Sequence, residues 1–235
     1  MELDYNAGAI LLFDKPYTWT SFDLVNSIRY SLKIFTGNKK LKVGHAGTLD
    51  PLASGLLIVC TGKKTKEIDQ LQGLEKEYTG TFVLGATTPS FDLESAIDQT
   101  FPIQHITNEL LTEACKKFTG TFQQFPPKFS AIKIDGKRAY EYARENLAVE
   151  IKSKEITISA FELTRIALPE VDFRVVCSKG TYIRALARDF GEALGSGAYM
   201  SALRRTRIGH FSVEQALDVH TFKVEHQKKA RLATE

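Results

Sequence analysis

Residues 43–57 read VGHAGTLDPLASGLL, a stretch that surrounds one carboxylate, Asp50, with glycines and small residues. Small residues let another backbone approach closely, and Pro51 fixes φ directly after Asp50. The stretch therefore predicts a stiff, tightly turned loop that presents the carboxylate, and loops are where catalytic groups concentrate. The same letters are also typical of an ordinary Asp-Pro turn or helix start, and that interpretation stays open at this point.

A nucleophilic carboxylate in such a loop needs a cation to keep it ionised and an aromatic surface to hold a flat substrate. Arg184 is the leading candidate for the cation. It lies in the first turn of a predicted helix, where an acidic partner would offset the unfavourable helix dipole. Tyr78 is the candidate aromatic group, on the inward face of a predicted strand. The alternatives are a solvent-facing arginine and an ordinary core tyrosine.

Outward from this stretch, alternating and continuous apolar runs predict strands. Residues 156–168 and 171–177 are expected to form a long antiparallel pair around Pro169 and Glu170. Asp135 and Gly136 give a hairpin-turn signal, or lead into a short helix through Tyr142. The remaining strands are expected at residues 8–13, 56–60, 77–84 and 200–207.

Capping residues and apolar stripes predict the helices. Thr20 or Ser21 caps the first helix, Thr107 begins another, and Thr181 caps a third that Gly195 stops. A polar helix follows the last strand, and no repeat or linker divides residues 1–235, so we predict one α+β domain with a mixed, mainly antiparallel sheet. The expected inward faces are Phe22, Val25, Ile28, Leu32 and Phe35; Leu110, Leu111, Ala114 and Phe118; and Ile183, Leu186, Ala187, Phe190 and Leu194.

Composition excludes several classes of protein. The 235 residues are 43% hydrophobic and 25% charged, as in an ordinary globular domain. The longest apolar runs, 9–13 and 56–60, are far below the roughly 20 residues of a membrane-spanning helix, and the acidic start is unlike a signal peptide. We therefore expect a cytoplasmic protein with no membrane partner. Cys60, Cys115 and Cys177 are expected to be reduced core thiols.

Basic residues occur in clusters although the net charge is only +3. Each cluster is a candidate phosphate contact, and each is about equally typical of a solvated helix face or strand edge. The clusters around Lys39, Lys128 and Arg204 are the best phosphate candidates. The four clusters are Lys39, Lys40 and Lys42; Lys63, Lys64 and Lys66; Lys128, Lys133, Lys137 and Arg138; and Arg204, Arg205 and Arg207.

Familiar cofactor motifs fail in this sequence. Residues 62–65 (GKKT) have the end of a phosphate-binding loop, but Leu57 stands where its first glycine belongs. Residues 195–197 (GSG) lack the third glycine of a dinucleotide fingerprint. A metal-dependent nuclease using His45, Asp50 and His210 would lack the carboxylates that magnesium prefers. We expect no cofactor and no metal.

Residues 44–57 resemble the catalytic motif of TruB-type tRNA pseudouridine synthases, which convert uridine 55 in the TΨC arm of tRNA to pseudouridine. The resemblance covers nearly the whole chain, in order and at matching spacing. It implies the pseudouridine synthase core, a mixed sheet flanked by helices around a basic cleft, and an enzyme that binds the T-arm stem-loop. Its blocks are DKP (14–16), KEY (76–78), LG (84–85) with Thr88 and Asp92, residues 127–133, 137–144 and 177–184, and LRRTR (203–207).

The resemblance also implies roles for single residues. Asp50 would be the catalytic aspartate, Arg184 its ion-pair partner and Tyr78 the aromatic group against the target base. His45 would fill the space that the flipped-out nucleotide vacates. Tyr182 and Leu203 would line the RNA site, and Lys15 and Lys133 match basic positions near it.

This chain departs from the family pattern in places. Residues 17–20 (YTWT) stand where glycine and serine are usual, and Ser90 replaces a more usual threonine. Many members continue into a C-terminal PUA domain, which is not evident here, although the basic tail Lys228, Lys229 and Arg231 would partly compensate. A monomer is expected. A non-catalytic RNA-binding module is the competing hypothesis, but it has no use for Asp50 beside a polyanion.

Overall fold

The computed structural model describes residues 3–130, 133–134, 136–138, 141–142 and 151–232. These residues divide into two compact units: the described residues up to Tyr78 and from Arg204 onward form the first, and Thr79–Leu203 the second. The helices are α1 (Ser21–Thr36), α2 (Ile68–Gly73), α3 (Asn108–Lys117), α4 (Ile183–Ala193) and α5 (Val219–Leu232). The strands are β1 (Ile10–Lys15), β2 (Val43–His45), β3 (Ala53–Thr61), β4 (Lys76–Leu84), β5 (Ala86–Thr87), β6 (Gln99–Thr100), β7 (Gly120–Gln124), β8 (Lys133–Ile134), β9 (Lys137–Arg138), β10 (Lys154–Ala167), β11 (Glu170–Cys177), β12 (Ala198–Ile208) and β13 (Phe211–Ser212).

The sheet is mainly antiparallel, as predicted. In the first unit the strand order is β1, β3, β12, with β2 on β3 and β13 on β12. In the second unit the order is β12, β4, β11, β10, β7, so β4 and β12 contribute residues to both units. Isolated parallel bridges join Phe13 to Leu217 and Asp92 to Met200, which makes the pairing mixed.

Helix α1 packs one apolar face into the first unit. Its N-terminus is closed by a capping box between Thr20 and Asp23. The buried stripe centres on Ile28, but the prediction that Phe22 faces inward is wrong, since its side chain is 61% exposed. Phe22 lies six residues before Ile28, which places it about 120° around the helix from the centre of the stripe.

The C-terminal helix α5 closes the same core. Phe222 packs edge-on against Phe13, and the hydroxyl of Tyr5 bonds the ring of His226 at 2.8 Å. Both Tyr5 and His226 are buried. The polar helix predicted at this end of the sequence is therefore held by an aromatic face.

The second unit contains the predicted long hairpin, β10 paired with β11. Phe82 on β4 stacks on Phe173 of β11, with ring centroids 4.1 Å apart. All five residues predicted to face inward on α4 are buried, and Gly195 ends that region with φ +63°. The prediction that Thr181 caps α4 is wrong: Tyr182 is the capping residue, and the hydroxyl of Thr181 donates to the carbonyl of Ser178 instead.

The Gly136 turn signal is confirmed as a hairpin. Strands β8 and β9 pair antiparallel, and Gly136 between them has φ +84°. Asp135 and the side chain of Lys133 lie outside the described residues. Among the helices that the structure describes, none is both long and apolar enough to cross a membrane.

The three cysteines are buried and free, as predicted. Burial raises the pKa of the Cys60 thiol to about 11 and that of Cys115 to about 12. Because the thiolate is the reactive form, we expect negligible alkylation of the folded chain by iodoacetamide at about pH 8, and full alkylation in denaturant. Mass spectrometry measures the extent, and rapid modification of Cys60 or Cys115 in the folded chain would contradict the burial seen here.

Candidate active site

The loop that carries Asp50 is a closed, hydrogen-bonded turn between β2 and β3. The amide of Ala53 donates to the carbonyl of Asp50 at 3.1 Å, and the amide of Thr18 donates to that of Pro51 at 2.9 Å. The hydroxyl of Ser21, at the start of α1, accepts from the amide of Leu49 at 2.8 Å and lies 3.1 Å from its carbonyl. The turn is thus fixed on both sides of Asp50, as the sequence predicts.

Arg205 holds the same loop through hydrogen bonds from its guanidinium to backbone carbonyls. Its guanidinium donates to the carbonyls of Leu56 at 2.8 Å, Gly47 at 3.1 Å and Thr48 at 3.4 Å. The side chain is only 1% exposed, so the prediction that Arg205 belongs to a surface phosphate-binding cluster is wrong. Its three acceptors are backbone carbonyls distant in sequence. The sequence therefore gives no sign that Arg205 differs from its neighbours Arg204 and Arg207.

Gly55 allows β3 to lie directly against the backbone of Arg205. A Cβ at Gly55 would overlap the carbonyl oxygen of Arg205, and the glycine has φ +105°. Only glycine accommodates both conditions. Gly55 therefore serves the close approach of another backbone that the sequence predicts.

Lys15 at the end of β1 is a buried cation. Its ammonium donates to the carbonyls of Trp19 at 2.6 Å, Pro16 at 2.9 Å and Pro51 at 3.4 Å. Burial lowers the pKa of Lys15 to about 8, against a smaller raising effect of the Asp50 charge. Lys15 thus supports the Asp50 loop, and its direct contact with RNA stays a prediction.

We expect Lys15 to make stability depend on pH. Between the folded pKa of about 8 and the ordinary 10.5, Lys15 binds more protons in the unfolded chain, so this group makes the free energy of unfolding rise with pH. The raised pKa values of Cys60 and Cys115 act in the opposite direction above about pH 9. One such group contributes a slope of at most about 1.4 kcal/mol per pH unit. Urea unfolding across this range should give a more positive slope in the parent chain and in the exposed-site control Lys66→Met than in Lys15→Met. Equal slopes in all three would contradict the assignment.

His45 and Tyr78 lie in the first unit with Asp50. His45 ends β2 opposite Val59 of β3, and burial lowers its pKa, aided by the charge of Arg205. Its ring is therefore kept neutral more readily than that of an exposed histidine. Tyr78 lies on β4 and is 8% exposed.

In the second unit, Arg184 lies in the first turn of α4 and is buried among acceptors. Its Nε lies 3.4 Å from the carboxylate of Asp92. Its other nitrogens donate to the carbonyl of Phe129 at 3.0 Å and that of Ser90 at 3.3 Å. An acidic partner beside this arginine is what its place in the first turn indicates, and within the second unit Asp92 provides one.

Tyr182, the capping residue of α4, is held through its backbone. The side-chain amide of Gln124 accepts from the amide of Tyr182 at 2.9 Å and donates to its carbonyl at 3.1 Å. Gln124 is 1% exposed, and sequence reasoning missed it. The available signal was a polar residue at the end of β7, directly before an aromatic and two prolines. Leu203, on β12, is buried.

The structure thus places Asp50, Lys15, His45 and Tyr78 in the first unit, and Arg184, Tyr182 and Leu203 in the second. The ion pair between Asp50 and Arg184 stays a prediction, as does the role of Lys133. Within the described part of the chain, no group of three or more His, Cys, Asp or Glu side chains is placed to share a metal ion.

Comparison with known proteins extends these observations. Residues 33–183 match the family described as TruB family pseudouridylate synthase (N terminal domain). Residues 184–233 match the tRNA pseudouridylate synthase B C-terminal domain. The tRNA pseudouridine synthase B of Flavobacterium johnsoniae is 59% identical over 221 residues, covering 94% of this chain and 96% of the relative. That of Parabacteroides distasonis is 56% identical over 235 residues, covering 96% and 100%.

Solved structures show the same fold. A chain in the crystal structure of a Cbf5–Nop10–Gar1 complex is 29% identical, with a TM-score of 0.70 over 96% of this chain. The present chain spans 60% of the length of that protein. A chain in an H/ACA RNP bound to a substrate RNA is 28% identical, with a TM-score of 0.67 over 96% of this chain and 59% of that one. The chain belongs to the TruB family of pseudouridine synthases.

Proposed function

We propose that this chain isomerises uridine to pseudouridine at position 55 in the T-arm of tRNA, as a cytoplasmic monomer. The observation that carries the proposal is the Asp50 turn, because Ser21, Lys15 and Arg205 all bond the backbone on either side of that one carboxylate. Such preorganisation is typical of a catalytic group and unnecessary for a plain RNA-binding surface. Family membership and the names of the relatives supply the substrate class.

The reaction moves one glycosidic bond without net oxidation or reduction. The N1–C1′ bond breaks, the uracil turns, and C5 bonds C1′; the hydrogen on C5 leaves as a proton, and N1 gains one. Asp50 either adds to C6 of the uracil or assists departure at C1′, and in both routes a positioned carboxylate acts directly on the nucleoside. Arg184 is the proposed ion-pair partner of Asp50.

The target base must first leave its stack in the RNA. Unstacking opposes binding by a few kcal/mol, which stacking on an aromatic side chain and filling of the vacated gap offset. Tyr78 is the proposed aromatic surface, and His45 the proposed filler, a role that an uncharged ring suits. Tyr182, Leu203, Lys15 and Lys133 are the proposed remaining contacts with the T-arm.

The test is release of tritium from a T-arm stem-loop labelled at uracil C5. We expect tritium release from a stem-loop labelled at uridine 55, with one tritium released per pseudouridine formed at a labelled uridine. A stem-loop labelled at another uridine should release none. Primer extension after carbodiimide treatment identifies the modified position. Tight binding without release from any tRNA would favour a non-catalytic RNA-binding module.

A further inference from the structure

Two arginines of α4, Arg184 and Arg188, are one helical turn apart and share a face. Arg184 bonds two segments of the second unit: residues 88–92, through Ser90 and Asp92, and residues 125–129, through Phe129. The position of its guanidinium therefore depends on where these two segments lie.

Arg188 contacts the same two segments by other means. Its guanidinium lies over the ring of Phe91, 5.2 Å from the centroid, and donates to the carbonyl of Phe125 at 3.1 Å. Its Nε donates to the carboxylate of Asp189 at 2.7 Å. Phe91 stands between Ser90 and Asp92, the two residues of its segment that bond Arg184.

Phe91 holds an unusual backbone conformation at this point. Its φ is +61°, a region that a bulky residue rarely adopts without a compensating contact. The turn is closed by its amide, which donates to the carbonyl of Thr88 at 3.0 Å, and its carbonyl accepts from the amide of Met200 at 3.0 Å. On either side of Phe91, the Ser90 carbonyl and the Asp92 carboxylate both contact the Arg184 guanidinium.

Residues of both segments line one pocket together with Arg188. This pocket, of about 950 Å³, is lined by Phe91, Phe125, Phe129 and Arg188 among others. At its wall, Arg188 makes one directed contact with each segment, to the Phe91 ring and to the Phe125 carbonyl.

We propose that Arg188 and Phe91 are positioning residues, which hold residues 88–92 and 125–129 at the separation that fixes Arg184. This inference rests on the proposed function, in which Arg184 is the partner of Asp50. It assigns neither residue a contact with the reacting uridine. Loss of the Arg188 contacts should therefore reduce turnover more than substrate binding.

The principal variant is Arg188→Lys, which keeps a cation beside Asp189 but cannot both stack on Phe91 and reach the Phe125 carbonyl. We expect kcat to fall about tenfold with KM within about twofold of the parent value. Arg165→Gln, on the exposed β10–β11 hairpin, is the control and should leave both constants unchanged.

Substitutions at Phe91 distinguish the effect of its ring on turnover from the effect of its backbone conformation. Phe91→Tyr keeps the ring and should retain parental turnover. Phe91→Gly adopts positive φ freely but has no ring, and should lower kcat as Arg188→Lys does. The double variant should be no worse than Arg188→Lys alone, because Arg188→Lys already weakens the contact that Phe91→Gly removes. Full activity in Phe91→Gly would overturn the inference.

A second readout does not need activity. Hydrogen exchange of the Arg184 Nε–H, followed by NMR in the free protein, should be slow in the parent and at least about tenfold faster in Arg188→Lys. Unchanged exchange together with unchanged kcat would overturn the inference. A raised KM with a shallower salt dependence and unchanged kcat would make Arg188 a phosphate contact instead, which also overturns it. Absence of synthase activity in the parent chain would refute the proposed function while the exchange measurement still tests the positioning.

Discussion

Asp50→Asn is expected to abolish turnover, lowering kcat by roughly 10³-fold or more while the affinity for the T-arm stem-loop changes by less than about threefold. The amide has nearly the same shape as the carboxylate, but it can neither add to C6 nor accept a proton. The bonds that fix the turn at Leu49, Pro51 and Ala53 use backbone groups of the loop, so the substitution leaves them in place. Tritium release measures turnover, and a filter-binding titration measures affinity.

Asp69→Asn is the matched control for this experiment. Asp69 is an exposed aspartate in the first turn of α2, in the same unit as Asp50, and the same chemical change there should leave turnover intact. If Asp50→Asn retained more than about a tenth of the parental turnover, Asp50 would not be the catalytic group.

Gly55→Ala is expected to lower the free energy of unfolding by about 3–5 kcal/mol. The new Cβ would overlap the Arg205 carbonyl oxygen and lie 2.7 Å from the Arg205 nitrogen. Backbone cannot rotate aside as a flexible side chain would, and φ +105° is itself unfavourable for alanine. Because Arg205 bonds the Asp50 loop, turnover should fall as well. Urea unfolding gives the free energy.

Two other glycines serve as controls. Gly37, which caps α1, has φ +68° but nothing within 4 Å of the position that a Cβ would take, so Gly37→Ala should cost only about 1 kcal/mol. Gly73, in the last position of α2, has no positive φ and equally open space, so Gly73→Ala should be neutral or slightly stabilising. A Gly55→Ala effect no larger than that of Gly37→Ala would show that the approach of β3 to β12 is not tight.

Periodicity and capping signals predicted those parts of the fold whose causes are local. Thr107 begins α3, and Gly195 stops the region after α4, because a side-chain oxygen and a left-handed glycine act within one turn of the chain. The β10–β11 hairpin follows from alternation on either side of Pro169. The cap of α4 is a local feature that was predicted wrongly: Thr181 has the typical capping side chain, but Tyr182 is the capping residue and makes no side-chain cap bond.

Periodicity and capping signals could not predict the residues that hold the site in place. Arg205 reaches carbonyls about 150 residues away in sequence, and Gln124 bonds the backbone of Tyr182 across 58 residues. A buried arginine or glutamine bonded to backbone has no periodic signature, since its partners are groups that every residue carries. The pairing of Asp92 with Arg184 could not be predicted from local patterns either, although both residues lie in sequence blocks that resemble the family.

The buried cations beneath the Asp50 loop also shape the electrostatic potential above it. The hydrogen bonds of Lys15 and Arg205 go to backbone carbonyls, which solvate a cation without carrying a net charge. A dipole field falls off faster with distance than that of a whole charge, so the carbonyls alone do not cancel the two positive charges. The carboxylates of Asp50, Asp23 and Asp14 act on Lys15 with the opposite sign. A survey of exposed lysines and arginines would omit the two buried cations. Both buried cations therefore contribute to the potential that an approaching phosphodiester meets, and dissolved salt screens buried charges less than exposed ones.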